Sequence, residues 1–393
     1  MLEKLSKELK EYFNETKISL DPNKYEVLNL EEMNKVKKLE KLLEEQTTPP
    51  KTSLLINLGD IEYFQGNMSK SITYYTEALE QAEFSGDKKT QIICFGKMGK
   101  IYLTSGYQDK AFEYFSKELE LSREIGYREG EAKSLGNIGI VYKDRGDLDT
   151  ALEYYNNALL IHKENGDKRG EANDLTNIGN VYISKGTKVD LNKAMNYQEK
   201  ALKVFKEISD KRGEAIALGS IGNIYYLKEE KVKALEYYKK NLQINIEIGH
   251  KQGEVIALGN IGNIYKDKGD LDNAMKYYND ALLVHRDIGY RKGEGIALGN
   301  IGLIYGAKGE MDEALKYFNE ALVINKDIGN IEGEATTLGN IGLAYKEKKD
   351  FKKAQEYLRE ALEILDKYGM DYGKDYFQNA IKEIKESSKA KKN

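Results

Sequence analysis

The sequence predicts an all-α fold, a solenoid of stacked helix-turn-helix units. Three observations carry this. A unit of forty residues recurs through most of the 393-residue chain, marked by Gly59, Gly99, Gly139, Gly179, Gly222, Gly262, Gly302 and Gly342, with every interval 40 except the 43 between Gly179 and Gly222. Apolar residues inside each unit recur at helical rather than strand spacing. Glycine-bearing turns separate the two helical stretches of a unit, as at Arg145-Gly146-Asp147. Repeats of this length bury a core only by stacking on one another, so the whole array is one elongated domain.

Residues 1–50 hold no glycine and no repeat. Leu2, Leu5, Leu9 and Phe13 mark one amphipathic helix; Met33, Val36, Leu39 and Leu43 mark another. Pro49-Pro50 separates them from the first repeat. This segment is expected to be an N-terminal helical cap, because solenoid ends need covering, or a docking segment. Residues 51–371 form eight repeats, at about 52–91, 92–131, 132–171, 172–214, 215–254, 255–294, 295–334 and 335–371. In the clearest copy, Leu135, Ile138 and Tyr142 share one face of the first helix. Gly139 lies on that face and lets a neighbouring helix come close. Ala151, Tyr155, Ala158 and Leu159 form the apolar face of the second helix, and Gly166 comes after it where a left-handed C-terminal cap favours glycine. Glu171 suits the positive N-terminal end of the next helix. Glycine within a helix costs about 1 kcal/mol against alanine, so its recurrence points to close packing. Residues 372–393 are expected to be a capping helix, with Phe377, Ile381 and Ile384 in helical spacing, and a basic tail.

Leu135-x2-Ile138-Gly139-x2-Tyr142 followed by Ala151-x3-Tyr155-x2-Ala158 resembles the tetratricopeptide repeat. The usual unit is about 34 residues, and the extra ones fall between Ala158 and Leu175, which lengthens the second helix and its following loop. The forty-residue form is similar to the repeats of Pins/LGN adaptors and kinesin light chains. The resemblance spans about residues 52–374 and implies a right-handed superhelical solenoid whose first helices line a concave groove. Departures include Glu62 in place of the tyrosine, Lys97 in place of an asparagine, three extra residues around Gly186-Thr187-Lys188-Val189, and Glu229-Glu230 at a turn that elsewhere reads Gly-Asp. No segment resembles the G-protein-binding motif of the Pins/LGN proteins.

Groove positions in the third repeat are then Lys133, Gly136, Asn137, Ile140, Lys143 and Asp144. The Asn137 position also holds Asn57, Asn177, Asn260, Asn300 and Asn340; the Ile140 position holds Asn180, Asn223 and Asn263. An amide offers both donors and an acceptor, which suits the alternating groups of an extended peptide. Helices about 10 Å apart meet a chain rising about 3.3 Å per residue roughly every third residue. The Gly136 position also holds Gly96, Gly219, Gly259, Gly299 and Gly339, and glycine beside an asparagine lets the peptide backbone approach. The Lys133 position becomes Ile216, Ile256 and Ile296, either an apolar strip in the groove beside Tyr226 or packing against the adjacent helix.

Composition narrows the function. Lys plus Arg number 61 and Asp plus Glu 65, a net charge of −4, which disfavours nucleic acid and anionic membranes as main partners. Mean hydropathy is −0.64, and no apolar run has membrane-spanning length or the form of a signal peptide. One cysteine, Cys94, and three histidines give no disulfide and no metal-ligand spacing, so no cofactor or metal is expected and a cytoplasmic location is. His285-Arg286-Asp287 spells a kinase triplet but sits inside a repeat helix without the required asparagine, position 292 being Lys. The recurring Gly-Asn-Ile-Gly comes after no strand. Tyrosine pairs such as Tyr154-Tyr155, Tyr237-Tyr238 and Tyr277-Tyr278 place one ring in the core and one outward. The expected function is a non-catalytic scaffold or adaptor that binds an extended segment of a protein or peptide partner in the groove. The alternative is a ligand- or peptide-sensing regulatory subunit that controls a separate effector.

Overall fold

The two-helix pattern of each repeat is realised as helices of nearly constant length. The computed structural model describes residues 52–371 and 373–390, so the expected cap or docking segment at 1–50 lies outside the described residues. Among the described residues there are seventeen α-helices and no strand. The chain divides into two compact units at Ser220 and Ile221. The first unit holds α1 (Thr52–Phe64), α2 (Met68–Ser85), α3 (Lys88–Thr104), α4 (Gln108–Glu124), α5 (Arg128–Asp144), α6 (Leu148–Glu164), α7 (Lys168–Lys185) and α8 (Lys188–Glu207). The division falls within α9 (Lys211–Leu227). The second unit holds α10 (Lys231–Glu247), α11 (Lys251–Asp267), α12 (Leu271–Asp287), α13 (Arg291–Ala307), α14 (Met311–Asp327), α15 (Ile331–Glu347), α16 (Phe351–Lys367) and α17 (Lys374–Ala390). Within each unit consecutive helices pack on one another, and the first helices of neighbouring repeats also touch: α1 with α3 and α3 with α5, α13 with α15 and α15 with α17.

Where the forty-residue unit differs from the shorter one, the structure departs from expectation. The connection after α6 is only Asn165-Gly166-Asp167, and the extra residues lengthen both the end of α6 and the start of α7. The first helices therefore begin four residues ahead of the repeat limits read from the sequence, at 88, 128, 168, 211, 251, 291 and 331. The three extra residues of the fourth repeat likewise add nearly a turn to α8, which has 20 residues where α6 has 17. Thr187 caps that helix by accepting from Asp190 N at 3.1 Å.

Turn chemistry repeats as well. Gly166 is left-handed at φ +70°, with its N–H on Lys163 O (3.2 Å) and Asp167 N–H on His162 O (2.9 Å), the two bonds that close a helix end. Asp167 then caps α7 through Gly170 N at 3.0 Å. The turn survives where glycine is missing: Ser209, Glu229 and Lys349 hold φ of 56°, 61° and 61°.

The recurring helix glycine has a specific neighbour. A Cβ on Gly139 would lie 2.7 Å from the Tyr155 ring, and on Gly262 2.6 Å from the Tyr278 ring. The close approach that the glycine permits is thus by a ring of its own repeat's second helix. That ring is fully buried, worth roughly 2–3 kcal/mol for a side chain of this size. The outward tyrosines stack instead, Tyr142 on Tyr154 at 5.3 Å and Tyr265 on Tyr277 at 5.5 Å. At the C-terminal end, Phe377, Ile381 and Ile384 of α17 are buried among Leu358 and Leu365 of α16.

Candidate binding surface

The first helices carry one face of residues that the core does not use. In the second unit this face holds a cleft of about 570 Å³ lined from α11, α13, α14 and α15. It brings together three of the sequence-predicted residues, Ile296, Asn300 and Asn340, with Lys266, Lys292, Leu303, Glu332 and Thr336 at its walls. Its floor includes Gly295, Gly299 and Gly333. A Cβ on Gly299 would meet nothing within 4 Å, so this glycine opens directly onto the cleft. Gly259 is open in the same way, whereas the place of a side chain on Gly339 is filled by the Phe377 ring of α17. The C-terminal helix therefore closes the glycine track at its last position.

The two asparagine positions behave differently. Asn260, Asn300 and Asn340 are half-buried, and among the described residues no hydrogen bond from their amides is found. Asn177 shares this state, and Asn137 lies beside Glu118. At the other position the amide oxygen is engaged inside the fold. Asn223 accepts from Tyr238 OH and Asn263 from Tyr278 OH, both at 2.7 Å. Asn180 accepts from Gln198 Nε2 at 3.0 Å and from Ser220 Oγ at 3.2 Å. In these three asparagines the amide oxygen already accepts inside the fold, and the NH2 group is the end left for a ligand's acceptor. The pairing tracks the second helix: where it carries Phe115, Phe318 or Leu358, the matching position is Lys100, Leu303 or Leu343. Tyr155 is the exception. It faces Ile140, and its buried hydroxyl has no partner.

The isoleucines are open. Ile216 in the first unit is 46 % exposed, and Ile256 and Ile296 in the second are 65 % and 54 % exposed. Ile93, at the same repeat position, is 44 % exposed; its signal in the sequence is weak because only one residue of its kind stands in that half. Tyr226 donates its hydroxyl to Asp267 at 2.7 Å, and this bond, with burial and the carboxylate charge, raises its pKa. Asn223, Tyr226, Ile256, Asn260 and Asn263 lie outside the cleft lining, as do Asn137, Asn177, Asn180 and Ile216 of the first unit.

In the first unit, carboxyl groups reach the same face. Asp60 accepts from Tyr75 OH and from Lys97 Nζ (2.7 Å). Asp174 pairs with His162 Nδ1 at 2.6 Å and comes within 3.8 Å of where a Cβ on Gly136 would lie. Glu118 covers Gly96, and burial pushes its carboxyl up to about 8. The sequence does flag Glu118, because the other repeats carry Ala78, Ala158, Ala201, Asn241, Ala281, Ala321 and Ala361 at that position. Cys94 is fully buried, and burial pushes its thiol up to about 12, so it is unreactive at neutral pH. Among the described residues no group of three His, Cys, Asp or Glu can hold a metal ion.

Comparison with known proteins agrees with this geometry. The tetratricopeptide repeat pattern matches residues 52–124, 130–187, 253–327 and 293–367. No curated protein matches the chain. Among solved structures the fold is similar to a signal transduction ATPase with numerous domains from Pyrococcus horikoshii, which has a tetratricopeptide repeat sensor. Its TM-score is 0.59 at 16 % identity, over 88 % of this chain and 54 % of that one. This chain thus spans about half the length of the Pyrococcus protein. It is also similar to the apo quorum sensor NprR from B. thuringiensis, with TM-score 0.58, 17 % identity, and coverage of 84 % and 92 %. A Rap protein complexed with Competence and Sporulation Factor gives TM-score 0.55, 15 % identity, and coverage of 93 % and 99 %. At these identities the likeness is one of fold. Repeat pattern, helix pairing and matched segments agree: the chain belongs to the tetratricopeptide repeat family.

Proposed function

We propose that the chain is a non-catalytic interaction module that binds an extended segment of a protein or peptide partner across its first helices, with the cleft of the second unit as the main seat. The observation that carries this is the pair Asn300 and Asn340, whose amides line the cleft beside the open Gly299. Amides without internal partners can meet both the N–H and C=O groups of a peptide backbone, and an absent side chain lets that backbone come close. Ile296 and Leu303 supply apolar contact beside them. The test is capture of partners or peptides by wild type and by Asn300→Ala with Asn340→Ala. Each change should weaken binding by about tenfold, the worth of a lost hydrogen bond, with the helical circular dichroism unchanged. Undiminished capture would remove the asparagines from the site.

A second reading is a sensing subunit that controls a separate effector. It is favoured by the similar structures, of which one is described as a quorum sensor and another carries a sensor of this repeat type. A scaffold keeps its radius of gyration when a captured peptide is added, whereas a sensor changes it. No described helix is long and apolar enough to cross a membrane, and a cytoplasmic setting fits a chain with one cysteine.

A further inference from the structure

Glu118 stands on α4 at a position where six of the other repeats carry alanine and one carries Asn241. It is 5 % exposed, and its Oε2 has no hydrogen-bond partner. Its Oε1 lies 2.6 Å from where a Cβ on Gly96 would be, so the carboxyl occupies the side-chain space of a glycine on the ligand-facing side of α3. Ser134 and Asn137 of α5 lie against the carboxyl and favour its charged form, but they leave Oε2 without a donor and supply no charge of their own. Ser134 donates its hydroxyl to Gly130 O at 2.8 Å, and Lys133 is held by Glu129 at 2.6 Å. A buried carboxylate without a counter-charge is costly, and alanine at this position packs fully in other repeats.

We propose that Glu118 is the acceptor of a subsite in the first unit that takes a cationic nitrogen group of the bound peptide, beside Gly96 and Asn137. This rests on the reading of the chain as a peptide-binding module. The ligand group is a primary amine or guanidinium, which supplies the N–H donor missing at Oε2 and the missing charge. Burial keeps the empty carboxyl protonated up to about pH 8, so the incoming cation displaces a proton from it. The groups that face it are Lys133, Ser134 and Asn137 of α5, Tyr127 just ahead of α5, and Gly96 of α3. Lys133 alone among them is cationic, and its ammonium is tied to Glu129.

The test uses random synthetic peptides, one pool with free and one with acetylated amino termini, captured on the full chain and on its Glu118→Gln and Glu118→Ala variants. Wild type should enrich Lys or Arg at one fixed position in both pools if the cation is a side chain. It should favour the free pool alone if the cation is the amino terminus. Either preference should vanish in Glu118→Gln, with affinity for the selected peptides reduced about tenfold or more. For peptides selected through a Lys or Arg side chain, wild-type affinity should rise as pH rises through about 8, and the Glu118→Gln response should be flat. Glu118→Ala, which restores the residue of the other repeats, should melt no lower than wild type and controls for folding. Peptides that need Asn300 and Asn340 but show no basic preference, or an unchanged preference in Glu118→Gln, would overturn this subsite and leave the proposed function standing. No captured peptide at all would overturn both.

Discussion

His162 and His285 occupy the same place in two repeats, one in each unit, and their surroundings are opposite. Each packs over a glycine of the following first helix, Gly170 or Gly293, where an added Cβ would lie 2.3 or 2.2 Å from the ring. Facing His162 is Asp174, 2.6 Å from Nδ1. The matching residue facing His285 is Ala297, and His285 Nδ1 is buried without a partner. The same contrast runs through the seams between repeats. Asn325 meets Thr337 through a 3.2 Å bond, while Phe205 shares an apolar cluster with Ala217. One repeat position thus takes polar or apolar groups, some bonded across the seam and others, such as the His285 Nδ1, left without a partner. At the repeat positions of the buried Asp60, Glu118 and Asp174 of the first unit, the second unit carries no carboxyl: asparagine or leucine, asparagine or alanine, and alanine or threonine stand there. Two chemically distinct surroundings thus arise from one repeat.

The largest break in this contrast should come from Asp174→Ala, which turns the His162 seam into the His285 seam. Removing one member of a buried pair is expected to cost about 3 kcal/mol, read by denaturant unfolding. The pH profiles should separate too. Burial alone would lower the His162 pKa, but the hydrogen bond and charge of Asp174 outweigh it and raise it above the ordinary 6.5. Its contribution is then fully present below pH 6.5 and lost as pH rises through the raised value. His285 is lowered by burial, so its seam is stable above pH 6.5 and weakens as pH falls through the lowered value. His162→Ala and His285→Ala should therefore flatten stability-against-pH curves of opposite slope. Parallel curves would refute the contrast.

A smaller effect is expected at the hydroxyl pairs. Asn263→Ile should strand the Tyr278 hydroxyl and cost about 1–3 kcal/mol. Ile140→Asn should give the Tyr155 hydroxyl the partner it lacks and gain about 1 kcal/mol. Thermal melts of both variants check the signs, and two losses would show that the Tyr155 site is better left apolar. Smallest are the turns. Glu229→Gly and Lys349→Gly relieve a left-handed backbone at non-glycine residues, which costs roughly 1–2 kcal/mol, and each should raise the melting temperature. A fall in either would mean that its side chain contributes more than the strain it carries.

The candidate binding face was legible only in part. Spacing alone aligned Asn300 with Asn340 and Ile256 with Ile296, because helical periodicity fixes which residues share a face. It could not tell that Asn223 and Asn263 spend their oxygens on Tyr238 and Tyr278, since that bond joins residues on two helices. Nor could it tell which glycines stay open: Gly299 and Gly339 are identical in sequence context, and only α17 distinguishes them, by laying Phe377 over the second.

The sequence by itself determined the repeat, its helix pair, its turns and its core residues. These depend on local spacing and on the packing of one repeat against a near copy of itself, which a periodic sequence states eight times over. Tertiary structure alone decided which polar groups are consumed inside the fold and which remain for a ligand. Hydrogen bonds and buried charges are settled pair by pair across helix seams, and a single partner changes whether an identical side chain is core, counter-ion or binding group.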